Sequence, residues 1–377
     1  MRFFFTILAL VAVIAAWPQA GSTPDHFADG MKAITAKNYT LAAEHFKKAV
    51  AQKPQHGEAW FELGWCYNEL KKYEDAIIAL GNAKTWWKDV AKVYYESGYA
   101  NDYSGKTSAA IEDYKKCIAI SESYAGAYRQ LGNIYFDINK DYKTALEYYN
   151  KFLDRSAGKE IAARVWYKKG YSEIELEQYE NALASLKKAL VIDIKYVAAY
   201  DELGYVYYKQ GKADDAVVAY MSSRQLDSTS STPCSGLGDI YRYLKKNTDE
   251  ALNWYKKGTV INPKSQNCQY GTGWCYNEKG NYREAIPYLK KAAEINNKYT
   301  AAYTELGYAY YSLKRYDDAL VELDRSVKLS ETGVAIYYKG LCYIGKNQKV
   351  DAQEMYQKLV DMKSADAPTL LKRINAM

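Results

Sequence analysis

Six cysteines, three histidines and several paired carboxylates are the residues of this chain with obvious chemistry to offer. The cysteines are Cys66, Cys117, Cys234, Cys268, Cys275 and Cys342, with no C-x-x-C among them, so neither a zinc knuckle nor a thioredoxin-type redox motif exists. His26, His45 and His56 lie within thirty-one residues of one another and could gather a metal. They read more simply as capping and surface residues, and no metal is expected. Asp214-Asp215 and Asp317-Asp318 open helical stretches, where acidic side chains complement the helix dipole. There is no G-x-G-x-x-G, no phosphate loop, no G-x-S-x-G and no H-E-x-x-H, so no catalytic role and no cofactor are expected. The chemistry that remains is recognition. The hexapeptide Gly-Trp-Cys-Tyr-Asn-Glu occurs at 64–69 and again at 273–278. It sets Trp65 beside Asn68 and Trp274 beside Asn277, three residues apart on one helix face, an aromatic plane next to an amide.

The elements that carry these residues announce themselves by period. Glycines recur at 30, 64, 98, 132, 170, 204, 238, 273, 307 and 340, at intervals of 33 to 38 residues. Twelve residues after each comes an alanine, or thirteen in the fourth and seventh repeats, where Ala145 and Ala251 arrive one residue late. Within one period, Trp60, Leu63, Gly64 and Tyr67 occupy one helical face, and Ala76, Leu80 and Ala83 occupy another after a short turn. Small residues at fixed points let two helices approach, while aromatic residues fill the space to the next pair. Neither helix can bury its stripe alone, so stability must come from stacking successive pairs.

Composition agrees with an extended array of this kind. The chain has 377 residues, 48% hydrophobic and 25% charged, with 40 Tyr against 8 Phe and 8 Trp. Its net charge of +6 comes without a basic block, which argues against nucleic acid as a partner. Arg2 followed by the apolar run Phe3–Ala16 and small residues at Ala15, Ala16, Ala20 and Gly21 has the layout of a secretory signal peptide over 1–20. Fourteen helical residues rise about 21 Å, short of the roughly 30 Å hydrocarbon core. No membrane span is therefore expected in the mature chain, which is expected to be exported, periplasmic or secreted in a bacterial envelope.

Trp60-x2-Leu63-Gly64-x2-Tyr67, and Tyr128-Leu131-Gly132-Tyr135, Tyr200-Leu203-Gly204-Tyr207 and Tyr303-Leu306-Gly307-Tyr310 with Tyr for Trp, resemble the tetratricopeptide repeat (TPR) pattern. Ala42-x3-Phe46 with Pro54 supplies the second half. The resemblance places ten repeats at 23–56, 57–90, 91–124, 125–162, 163–196, 197–230, 231–265, 266–299, 300–332 and 333–363, and a capping helix at 364–377. It implies an all-α, right-handed superhelical solenoid of antiparallel helix pairs. About three residues are added between Asp154 and Ala163, where the pitch is expected to change.

TPR proteins line a concave surface with residues three before and one, four and five after the repeat glycine. Carried over, this implies partner-binding roles for Phe61, Trp65, Asn68, Tyr95, Tyr99, Arg129, Asn133, Tyr167 and Tyr171. In the later repeats it implies the same for Tyr205, Tyr208, Asp239, Arg242, Tyr270, Trp274, Asn277, Tyr308 and Tyr311. The expected function is a non-catalytic scaffold that holds another protein, as an extended peptide or a helix, in an aromatic groove. The alternative is a glycan-binding scaffold of polysaccharide export or cell-wall assembly, because aromatic residues flanked by amides also stack on sugars. Trp86 and Trp87 end one helix side by side. Adjacent residues cannot both face inward, so one indole is expected at the surface.

Overall fold

A computed structural model describes residues 25–156 and 161–377. The segment expected to be a signal peptide lies outside the described residues. Among the described residues the fold is all-α, twenty-one α-helices without a strand. They fall into two compact units, residues 25–140 with 147–156, and residues 141–146 with 161–377.

The first unit runs through α1 (His26–Thr35), α2 (Tyr39–Gln52), α3 (Gly57–Glu69), α4 (Tyr73–Trp86), α5 (Ala91–Tyr103), α6 (Thr107–Ile120) and α7 (Ala125–Asp137) to the later part of α8 (Tyr142–Arg155). The second contains α9 (Ala163–Glu175), α10 (Tyr179–Ile192), α11 (Val197–Lys209), α12 (Ala213–Leu226) and α13 (Thr232–Asp239), which continues into a π-helical turn, Ile240–Leu244. It goes on through α14 (Thr248–Ile261), α15 (Gln266–Glu278), α16 (Tyr282–Ile295), α17 (Thr300–Ser312), α18 (Tyr316–Leu329), α19 (Gly333–Gly345) and α20 (Lys349–Asp361) to α21 (Ala367–Ile374). Within each unit a helix packs against its successor, and leading helices also touch each other, α3 on α5 and α15 on α17.

The glycine and alanine ladders set these approaches. A Cβ on Gly64 would stand 2.5 Å from Leu80, and one on Gly204 would stand 2.7 Å from the ring of Tyr220. The second helix therefore lays its large residue directly on the backbone of the first. Ala76 and Ala216, four residues earlier on those second helices, are wholly buried. The turn inside a pair closes with a left-handed residue. Lys71 (φ 58°) donates its N–H to the carbonyl of Asn68, and Lys72 reaches back to Tyr67, so the last carbonyls of α3 are satisfied.

The late alanines of the fourth and seventh repeats are accommodated differently. In the fourth repeat α7 ends at Asp137, as far beyond its glycine as α3 does, and the turn before α8 is longer; in the seventh the helix itself runs on to Leu244. There the Ile240 carbonyl accepts from Lys245, an i→i+5 bond within a π-helical turn that takes up the extra residue inside the helix end. At the C-terminus, α21 buries Leu370 and Ile374 completely. Leu370 lies where a Cβ on Gly340 would come within 2.6 Å, so α21 covers an apolar face that α19 would otherwise leave open to water.

Candidate partner-binding surface

In the second unit the leading helices α11, α13 and α15 stand side by side, and α15 in turn touches α17. The π-helical turn carries Arg242, which lies over the next leading helix. Its guanidinium carbon lies 3.6 Å from the centroid of Trp274, 4.5 Å from Tyr243 and 5.4 Å from Tyr270. Such an aromatic enclosure holds a cation by the quadrupoles of the rings. The Arg242 Nε is buried without a hydrogen-bond partner, an unspent donor of the kind that a ligand oxygen can satisfy. Asp239, one helical turn earlier, accepts a 2.5 Å hydrogen bond from the Tyr255 hydroxyl, and burial raises its carboxyl above the ordinary value.

The other implied aromatic residues of this unit are partly buried, apart from Tyr205. Tyr270 packs against Tyr299 at 5.0 Å. Tyr308 meets Tyr282 and Tyr338, and Tyr311 meets Tyr316 and Tyr338. Tyr167 lies between Tyr171 and Tyr196. Tyr208 packs on the cluster of Leu237 and Ile240, whereas Tyr205 is 38% exposed with Lys209 over its ring. Burial raises the hydroxyls of Tyr167, Tyr171, Tyr208 and Tyr270, so all four remain protonated donors at neutral pH.

The first unit presents a second aromatic set. Tyr99 packs on Tyr103 at 4.5 Å and on Tyr73, which stacks on Tyr103. Trp65 is half-buried and meets Tyr39 edge-to-face at 5.4 Å. Tyr95 sits between Tyr114 and Tyr124, Arg129 is exposed near the ring of Phe152, and Asn133 accepts from the Tyr149 hydroxyl.

Three of the implied contact residues are instead interior. Phe61 is buried beneath Trp87, with Lys92 over both rings. Asn68 is 4% exposed and donates its amide to the Glu96 carbonyl and carboxylate, at 3.0 and 2.9 Å. Asn277 repeats the arrangement on Glu305, at 3.1 and 2.8 Å. The amides of the shared hexapeptide thus tie one leading helix to the next rather than facing a ligand. The glutamates that receive them were missed, although Glu62, Glu96, Glu202 and Glu305 stand two residues before the repeat glycine in a register that the sequence displays.

Glu202 tests this pairing because, like Glu62, which has Ile34 in that register, it has no asparagine partner. Where an asparagine would reach it, four residues beyond Gly170, the chain has Ile174. Desolvation, with Asp201 and Glu175 nearby, pushes its carboxyl from 4.5 up to about 7. A raised carboxyl contributes stability in full below its unfolded value and loses it as pH rises through the folded one. Stability of the second unit should therefore fall between pH 4.5 and about 7. Glu202→Gln should remove that slope and add roughly 1–3 kcal/mol at pH near 8. Urea titrations of both proteins across this range check it, and parallel pH profiles would refute it.

The remaining candidates are structural. All six cysteines are free and buried, and burial pushes the thiols of Cys66, Cys117, Cys275 and Cys342 up to about 12. Cys234 and Cys268 both line the space beside Gly258. At the end of α4, Trp86 is 46% exposed while Trp87 packs on Phe61.

Comparison with known proteins settles the family. Tetratricopeptide repeat models match residues 29–89, 276–330 and 334–362, and a TPR repeat model matches 103–139 and 170–211, together more than half of the chain. The chain belongs to the tetratricopeptide repeat family. Human tetratricopeptide repeat protein 13 is 27% identical over 49% of this chain and 22% of its own length. A TPR repeat-containing protein of Methanocaldococcus jannaschii is 26% identical over 49% of this chain and 33% of its own length. The matches thus span a third or less of these relatives. The C-terminal part of a TPR repeat-containing protein from Cytophaga hutchinsonii superposes with a TM-score of 0.50 and 19% identity, over 65% of this chain and 98% of that one. Pseudomonas aeruginosa pilF gives a TM-score of 0.50 at 16% identity, over 56% and 96%. TPR proteins are in general non-catalytic scaffolds that bind other proteins. No helix among the described residues of this TPR chain is long and apolar enough to cross a membrane.

Proposed function

We propose that this TPR protein is an exported scaffold of a bacterial envelope that holds an extended peptide or partner helix on its aromatic leading-helix face. The observation that carries the reading is the Arg242 enclosure, a guanidinium stacked 3.6 Å from Trp274 with a buried, unspent Nε donor. A backbone carbonyl or carboxylate of a bound chain is the acceptor it suits, while the tyrosines around it supply rigid contact area with polar tips. Export is supported by the Arg2 and Phe3–Ala16 pattern. The glycan reading loses its main support, because the amides of Asn68 and Asn277 are engaged by Glu96 and Glu305.

A photo-crosslinking residue at exposed Tyr243 or Tyr205 should trap a protein in the organism's own envelope extract. Peptides from that protein should then titrate the purified chain. Arg242→Ala with Trp274→Ala should weaken the peptide by about 2 kcal/mol or more if these are hot spots, with an unchanged helical signal. Arg242→Lys should also weaken it, because an ammonium keeps the charge and loses the planar stack. A peptide bound equally well by the double variant, or saturable binding of envelope glycan in place of any peptide, would overturn the proposal.

A further inference from the structure

The first helix pair holds a cluster that the partner-binding reading does not use. His26 opens α1, Asp29 lies one turn later on the same face, and His45 comes from α2. One ligand atom from each lies within 4.8 Å of the others. The approach that gathers them is the closest one in the pair. A Cβ on Gly30 would meet the Phe46 ring at 2.6 Å, so the neighbours Asp29 and His45 are drawn to one edge of the contact. The two imidazoles stand 5.8 Å apart between centroids, tilted by 39°. The Nδ1 atoms of both are buried and have no hydrogen-bond partner.

Two hidden ring nitrogens without partners are costly in a packed helix pair. We infer that His26, Asp29 and His45 form a site for a divalent transition-metal ion of the zinc class. Two imidazoles and one carboxylate suit zinc and its borderline neighbours, not calcium or magnesium, which favour all-oxygen shells. Ligands about 2.0–2.2 Å from an ion stand at most about 4.4 Å apart, so small side-chain rotations from the present spacing close the shell. The fourth position is left to water or a partner's side chain. Lys32 competes for the carboxylate at 3.0 Å, but it is an exposed pair on one helix and easily displaced. The ion would clamp α1, the first described helix, to α2. His56 is not part of the set and packs against Phe27 at 4.8 Å.

The untagged full chain is titrated with Zn2+ by calorimetry and with Co2+ by visible absorption. One ion per chain is expected, with a d–d spectrum lacking sulfur-to-metal charge transfer. His26→Gln and His45→Gln should each weaken it by roughly a hundredfold or more, beyond the 10–100-fold typical of outer-shell losses. His56→Gln should bind as the wild type does, and Lys32→Ala as tightly or more so. Circular dichroism of the apo variants keeps the result independent of folding, since all of these changes are at partly exposed positions. No stoichiometric binding, thiolate charge transfer, or equal affinity in His26→Gln and His56→Gln would each overturn the site.

Discussion

Tyr255→Ala will destabilise the second compact unit by about 3–5 kcal/mol, the range for emptying a buried aromatic site. Its ring is 1% exposed and rests on two glycines at once: a Cβ on Gly238 would stand 2.4 Å from it, and one on Gly271 would stand 2.6 Å away. Helices α13, α14 and α15 therefore meet on one side chain, and nothing small can fill the space it leaves. The hydroxyl adds a separate contribution, because it donates to the largely buried carboxylate of Asp239. Tyr255→Phe keeps the packing and strands that acceptor, at about 1–3 kcal/mol. Gly271→Val should rival the alanine variant by overpacking from the other direction, at about 1–3 kcal/mol or more. Chemical denaturation of the three variants orders them. If Tyr255→Ala cost no more than Tyr255→Phe, the ring would not be the keystone of these helices.

In the first unit the largest loss is expected from Asp113→Ala. This carboxylate on α6 is 8% exposed, pairs with Lys84 of α4, and accepts from Ser97 Oγ at 2.7 Å and Asn101 Nδ2 at 2.9 Å, both on α5. Three helices thus share one acceptor. Removing it leaves two buried donors and a cation without their partner, and the loss of one member of a buried pair costs about 3–5 kcal/mol. The Lys84 side chain is 26% exposed and can turn toward water, which places the expectation near the lower end, about 3 kcal/mol. Lys84→Met should cost less, since Ser97 and Asn101 still hold the carboxylate. A double-mutant cycle between positions 84 and 113, read from urea midpoints, measures the coupling. Additive effects would show that the ion pair contributes nothing beyond the two hydrogen bonds.

Sequence and structure diverge here for identifiable reasons. The implied contact positions rested on a repeat register, and register states which helix face a residue occupies, not how deep it lies. Trp65 and Asn68 share a face, yet the indole stays half-buried while the amide is drawn under by Glu96 of the following repeat. That pairing joins residues 28 apart, and it required knowing which leading helices are neighbours. The three histidines pose the same problem. Their spacing resembles no compact metal motif, and only the crossing of α1 over α2 at Gly30 brings His26 and His45 together.

The glycine and alanine ladders, read alone, determined the helix pairs, their all-α class and the family, because close backbone approach demands small residues at fixed intervals whatever surrounds them. Adjacency was enough to expect one of Trp86 and Trp87 at the surface, since successive helical residues diverge by about 100°. The extra residue before Ala251 was likewise visible in the spacing. Whether a loop or a helix would absorb it was decided only in the folded structure. In the seventh repeat it went into the helix end as a π turn, whereas in the fourth, whose Gly132 meets Tyr149 in the same way, it went into the turn before α8. The π turn carries Arg242, which lies over Trp274, so the most distinctive feature of the candidate surface sits where the folded helix placed a residue that no local pattern locates.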